Sequence, residues 1–229
     1  MMKIPQKTAL NFSLFIILLY WLYELCDLNH TGILPGNFSE FVLKIVIIKS
    51  IHLSVIVLLL RIEKAGWHEM GFTFKNWKKQ LLVGLLLGFI MFLLINVGLT
   101  SLLAGIFPQT KSDGSILSYF SDPGNLYMWL AIGIFGGGLV EETMRIFFLT
   151  RFQKRFGKAG LYFALICSSF IFGAGHLYQG IATAISTGVS GLILGSIFIK
   201  RKSAIELITL HAFSDVLAIL GAYQMANHS

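Results

Sequence analysis

The sequence predicts an all-α protein, a polytopic bundle of about seven membrane-spanning helices that forms one domain over residues 1–229. Two observations carry this. Of the 229 residues, 55% are hydrophobic and only 13% are charged, too apolar for a water-soluble domain. The apolar residues also fall into runs long enough to cross a bilayer, separated by short stretches that hold most lysines and arginines. The 23 glycines agree, since Gly is commoner in membrane helices than in soluble ones. A net charge of +7 does not imply nucleic acid here, because the basic residues sit in short loops where they orient a membrane protein. Cys26 and Cys167 have neither disulfide nor metal spacing and read as small hydrophobes.

The first span is about Thr8–Leu25. Lys3 and Lys7 precede it, and Tyr20, Trp21 and Tyr23 stand near its end in place of a small-residue cleavage site. Gly32, Pro35 and Gly36 break the chain. The second span, about Phe41–Arg61, carries Lys44, Lys49 and His52; its lysines are expected to snorkel toward an interface. Arg61–Gln80, with Trp67, Phe72, Phe74 and Trp77, suits a piece lying along the headgroups. The third span, about Leu81–Ala104, has one polar interior residue, Asn96, expected to hydrogen-bond between helices. Asp122-Pro123 reads as an N-cap and first-turn proline opening the fourth span, which stays helical through Phe156 and stops at Gly157.

The fifth span is about Ala159–Leu177. The sixth, about Gln179–Ile199, is rich in small residues that permit close packing. Lys200-Arg201-Lys202 ends it, and Ser203 with Glu206 reads as a capping box opening the seventh, about Ala204–Tyr223. Basic residues cluster at the N-terminus and after the second, fourth and sixth spans, against Lys111 on the other side. The positive-inside rule then predicts an integral multi-pass protein with its N-terminus in the cytoplasm and its C-terminus outside.

The stretch Gly136–Arg145 sets Glu141, Glu142 and Arg145 inside an apolar run. Each ionisable group at bilayer depth costs roughly 2.5–3.5 kcal/mol even on a lenient insertion scale, so three together need a purpose. Two later helices carry Phe172…His176 and His211…Asp215. Counting helical rise from Gly157, Glu141 lies ~24 Å and His176 ~28 Å along their helices. His211 and Asp215 lie ~12 and ~18 Å beyond Ser203, a shallower depth that tilt and unequal loop heights can offset. Glu141 shares a helical face with Arg145, and His211 shares one with Asp215. His30, His52, His68 and His228 have no partners at useful spacing.

These residue types suit hydrolysis. A carboxylate in an apolar wall is a competent general base, and a neighbouring histidine can share activation of one water. A second histidine with a hydrogen-bonding partner can hold an oxyanion. Phe172 can wall the site. The same groups also suit zinc, with Glu141, His176 and His211 as ligands and an open position for water. A non-catalytic protein, either a membrane immunity protein or a proton-coupled transporter, would use the same buried Glu/His residues.

Over about Leu126–Tyr223 the chain resembles the CPBP family of intramembrane proteases, which includes the type II CAAX prenyl endopeptidases and bacterial Abi proteins. The family carries Glu-Glu-x-x-x-Arg, Phe-x-x-x-His and His-x-x-x-Asn/Asp motifs in that order. Glu141-Glu142, Phe172…His176 and His211…Asp215 match, whereas Arg145 follows Glu142 after two residues rather than three. That turns the arginine ~100° around the helix and leaves it able to pair with Glu141. The resemblance implies that Glu141 and His176 activate the water and that His211 with Asp215 stabilises the oxyanion. The resemblance gives Glu142 a supporting role. It also implies a peptide or membrane-associated protein substrate, lipidated or not, in a bacterial plasma membrane. Peptide processing or bacteriocin self-immunity is the implied setting. A metal-free mechanism without a cofactor is favoured over zinc.

Overall fold

The computed structural model describes residues 5–26, 38–107, 119–120 and 122–228. Lys3, His30, Gly32, Pro35, Gly36 and Lys111 lie outside the described residues, as do the side chains of Cys26 and His228. Among the described residues there are seven long helices and no strand. They are α1 (Gln6–Cys26), α2 (Phe38–Glu63), α3 (Trp77–Ala104), α4 (123–156), α5 (158–174), α6 (Ile181–Arg201) and α7 (Ala204–His228).

Five stretches among these residues are long and apolar enough to cross a bilayer: Phe38–Glu63, Trp77–Ala104, Pro123–Ala174, Ile181–Arg201 and Ala204–Asn227. The third folds back on itself as α4 and α5, so it supplies two limbs. Leu43, Leu58, Leu82, Leu94, Ile166 and Phe170 all point outward, the apolar exterior that lipid solvates. The chain is an integral multi-pass membrane protein.

The α4–α5 turn is at Gly157, as its sequence position predicts. Its φ of 65° and ψ of −147° suit a residue without Cβ. Beyond it the chain doubles back, bringing the Phe163 ring 5.7 Å from that of Phe152. The predicted α4 cap is present: Asp122 Oδ1 accepts from the Gly124 N–H at 2.8 Å, with Pro123 in the first turn. At α7, Ser203 Oγ accepts from the Glu206 N–H at 3.2 Å. The reciprocal half of the expected capping box is missing, because the Glu206 carboxylate turns to the Arg201 guanidinium instead.

Small residues bring α5 and α6 together as expected. A Cβ on Gly173 would lie 2.6 Å from the Ala184 carbonyl oxygen, and one on Gly191 3.1 Å from Ser169 Cα. Asn96 Nδ2 donates to Ser214 Oγ at 3.4 Å, and Thr100 Oγ1 donates to Ser186 Oγ at 2.9 Å. The first is the interhelical hydrogen bond expected of Asn96, and the second is an addition to it.

The segment between α2 and α3 keeps Trp67, Phe74 and Trp77 at the surface and is also tied to the bundle. It contains one short 3-10 turn, Trp67–Met70, and docks on the α6–α7 connection. The Ala204 N–H donates to the Gly71 carbonyl at 3.0 Å, and Gln80 hydrogen-bonds both Ser203 and the Thr73 carbonyl. Met70 is fully buried, while Trp67, Phe74 and Trp77 remain outward.

Two π-helical stretches also depart from the uniform α-helix expected, Phe92–Thr100 in α3 and Ile132–Glu141 in α4. The second ends at Glu141. The π stretch of α4 packs against α7 on one side and α2 on another, and α3 runs along α7.

Candidate active site

The depth mismatch inferred from helical rise disappears because the two connecting turns sit at different heights. Lys202 Nζ on the α6–α7 turn reaches Gln153 Oε1, four residues before Gly157, at 3.5 Å. Measured from that level, Glu142 is ~16 Å along α4 and His211 ~14 Å along α7. The two side chains accordingly meet: His211 Nδ1 lies 2.8 Å from Glu142 Oε1.

The polar residues form two layers. Glu142, Arg145 and His211 make the inner one, with side chains 0%, 4% and 9% exposed. Arg145 Nε donates to Glu142 Oε2 at 2.9 Å and Oε1 at 3.2 Å, and Nη1 donates to the Gly191 carbonyl at 3.3 Å. Its guanidinium stacks 4.6 Å from the Phe172 ring centroid. The expectation that Arg145 faces Glu141 is therefore corrected. Glu141 closes the π stretch and turns toward α2, while Glu142 starts the α-helical turn that carries Arg145 three residues on. A spacing of three suits an i,i+3 pair between Glu142 and Arg145.

The outer layer is half-open. Glu141 is 18% exposed and Asp215 33%. His211 Nε2 lies 3.5 Å from Asp215 Oδ2. With Nδ1 against Glu142, both ring nitrogens face carboxylates, an arrangement satisfied fully only when both carry protons. His176 sits just past the end of α5 rather than within it, since the helix closes at Ala174. Its Nδ1 is 2.8 Å from the Phe172 carbonyl. A carbonyl only accepts, so Nδ1 carries the proton and Nε2 of the neutral ring is left as an acceptor. Glu141 is close enough to both His176 and His211 to interact with them electrostatically. Phe172 walls the site, its ring edge-on to His176 at 5.0 Å and to His211 at 5.9 Å.

Glycines let the helices approach this closely. A Cβ on Gly137 would run into Asp215 Oδ2 and lie 3.5 Å from His211 Nε2. One on Gly138 would lie 2.5 Å from Ala212 Cβ. Gly137 and Gly138 thus form the seat of α7, a role not evident from the sequence.

Lys49 departs most from expectation. Instead of snorkelling outward, its Nζ lies 2.7 Å from Glu141 Oε1. The signal was available: a lysine mid-way along an apolar span, with a carboxylate lacking an obvious counterion elsewhere. His52, one turn on, packs edge-on against Tyr20 at 4.9 Å. A second buried pair ties α2 to α4 nearer the basic end, where Arg151 Nε lies 2.9 Å from Glu63 Oε2 and both side chains are 1% exposed.

The zinc arrangement does not fit these side chains. Both His211 nitrogens face carboxylates and Glu141 is held by an ammonium. Among the described residues no three His, Cys, Asp or Glu side chains are grouped to hold a metal ion.

No curated protein and no solved structure matches the chain. Residues 123–217 match the family model for Type II CAAX prenyl endopeptidase Rce1-like. The matched segment contains Glu141, Glu142, Arg145, Phe172, His176, His211 and Asp215, while Lys49 lies outside it. Over residues 123–217 the chain is therefore similar to the type II CAAX prenyl endopeptidases, the family its motifs resemble.

Proposed function

We propose that the protein is an intramembrane endopeptidase that hydrolyses a peptide bond with water activated by Glu141 and His176. The observation that carries this is the layering: Glu141 and His176 are partly open, and Glu142 with Arg145 holds His211 rigidly behind them. His176 Nε2 and the second oxygen of Glu141 are the acceptors for a water between them. The water oxygen attacks the scissile carbonyl carbon while Glu141 takes its proton. His211 Nε2–H, beside Asp215, faces the oxyanion that develops. When the C–N bond breaks, Glu141 returns the proton to the leaving nitrogen, so charge and protons balance.

Zinc plays no part in this reading, because the donor set that would hold it is engaged otherwise. The substrate is a peptide or membrane-associated protein, lipidated or not, that reaches the site from the bilayer. The distribution of basic residues supports a cytoplasmic N-terminus. A bacterial plasma membrane, with peptide processing or bacteriocin self-immunity as the task, is the setting we assign.

The test is cleavage of quenched fluorescent peptides, with and without prenyl groups, together with metal content of the purified protein. Wild type is expected to cleave without bound zinc, and Glu141→Ala and His176→Ala to lose the activity. Stoichiometric zinc that disappears in His176→Ala would replace the mechanism with a metalloprotease. No cleavage of any peptide would favour a non-catalytic membrane protein.

A further inference from the structure

We propose that Lys49 is a positioning residue of this site: its ammonium holds the Glu141 carboxylate charged and oriented, leaving the second oxygen for water. The proposal rests on the reading of Glu141 as the water-activating group, and it brings α2, outside the matched segment, into the active centre.

A carboxylate within a helical bundle loses its hydration, and an unpaired one takes up a proton rather than stay charged. In that form it cannot accept a proton from water. The Arg145 guanidinium does not serve it, being engaged by Glu142 and the Gly191 carbonyl. Lys49 does, at 2.7 Å from Oε1. Its stem runs over Gly136, where a Cβ would lie 3.9 Å from Lys49 Cγ and 4.0 Å from Cε. The methylenes thus cross the glycine surface of the π stretch and bring the charge inward. The Glu63–Arg151 pair, ~21 Å along α2 from Lys49, fixes the height of the helix and so the depth of the ammonium. A snorkelling lysine would need none of this.

The decisive readout requires no substrate. Dicyclohexylcarbodiimide modifies protonated carboxyls in apolar surroundings. On the full-length protein in detergent at neutral pH, wild type and Lys49→Arg are expected to resist it. Lys49→Met is expected to be modified at Glu141 at least about tenfold faster, located by mass spectrometry and absent from Lys49→Met/Glu141→Gln. Lys49→Gln serves if the Met variant does not fold. Equal labelling of folded wild type and variant overturns the proposal.

On a cleaved peptide, Lys49→Met is expected to lower kcat by about 10²-fold with KM within about twofold, and Lys49→Arg to recover most of it. A merely structural role would not separate kcat from KM in this way, and an unchanged kcat also overturns the proposal. The peptidase reading fails separately, if Glu141→Gln cleaves as well as wild type.

Discussion

Gly138→Ala adds only one methyl group to the face of α4 that seats α7, yet it should disable the site. The added carbon would lie 2.5 Å from Ala212 Cβ, 3.0 Å from Ala212 Cα and 3.1 Å from its nitrogen. Carbon atoms pack at about 3.5–4.0 Å, so α7 must move away by ~1.0–1.5 Å. His211 precedes Ala212 and moves with it. Its 2.8 Å contact with Glu142 then opens to ~4 Å, beyond hydrogen-bond range. A misplacement of about 1 Å costs about 10²-fold in rate, and overpacking of this kind about 1–3 kcal/mol in stability.

Peptidase kinetics and thermal unfolding in the same detergent read both effects. Gly221→Ala is the control, since it lies on the same helix α7 with nothing within 4 Å of the added carbon. It should leave kcat within error of wild type and the unfolding temperature equal or slightly higher, since Ala suits a helix interior better than Gly. A Gly138→Ala protein with wild-type kcat would show that the glycine seat does not set the position of His211, and the reasoning would fail.

The other expectations concern the ionic contacts. Asp215→Asn keeps a group that hydrogen-bonds His211 and gains a donor toward the oxyanion, so kcat should stay within about threefold, whereas Asp215→Leu should lose about 10²-fold; measured kcat for the two variants decides it. Glu63→Leu should destabilise the protein by about 3–5 kcal/mol because it strands Arg151 in the interior, and Glu63→Leu/Arg151→Met should recover most of the loss. Equal unfolding temperatures for the single and double variants would contradict that. Arg145→Lys cannot reproduce the fork that meets both Glu142 oxygens and the Gly191 carbonyl, so it should lower the unfolding temperature and the activity together.

The class, the helix order and the cap at Asp122 were legible because each has a strong local cause: long apolar runs, a Pro-bearing N-terminus, a glycine stop at Gly157. The grouping of Glu142, Phe172, His176, His211 and Asp215 was legible from ionisable residues in apolar helices. What the sequence hid lies in relations between elements. Helical spacing offers Arg145 a carboxylate either three or four residues back, and the partners on other helices, Lys49 for Glu141 and His211 for Glu142, accompany its pairing with Glu142. The α6–α7 turn is held by Gly71 and Gln80 from the α2–α3 connection, contacts with no local sequence signature. Lys49 was judged on the flexibility of its stem, which permits snorkelling but does not decide it; the counterion across the helix interface does.

The central claim is that Glu141 drives hydrolysis. It is tested most directly by comparing kcat/KM of wild type and Glu141→Gln, reconstituted in liposomes, on one peptide in farnesylated and unmodified forms. Glutamine keeps the size and hydrogen-bonding shape of the side chain but cannot take a proton. The account predicts cleavage by wild type and a loss of at least about 10²-fold in Glu141→Gln, with the protein still folded. Cleavage by Glu141→Gln within a few-fold of wild type would contradict it.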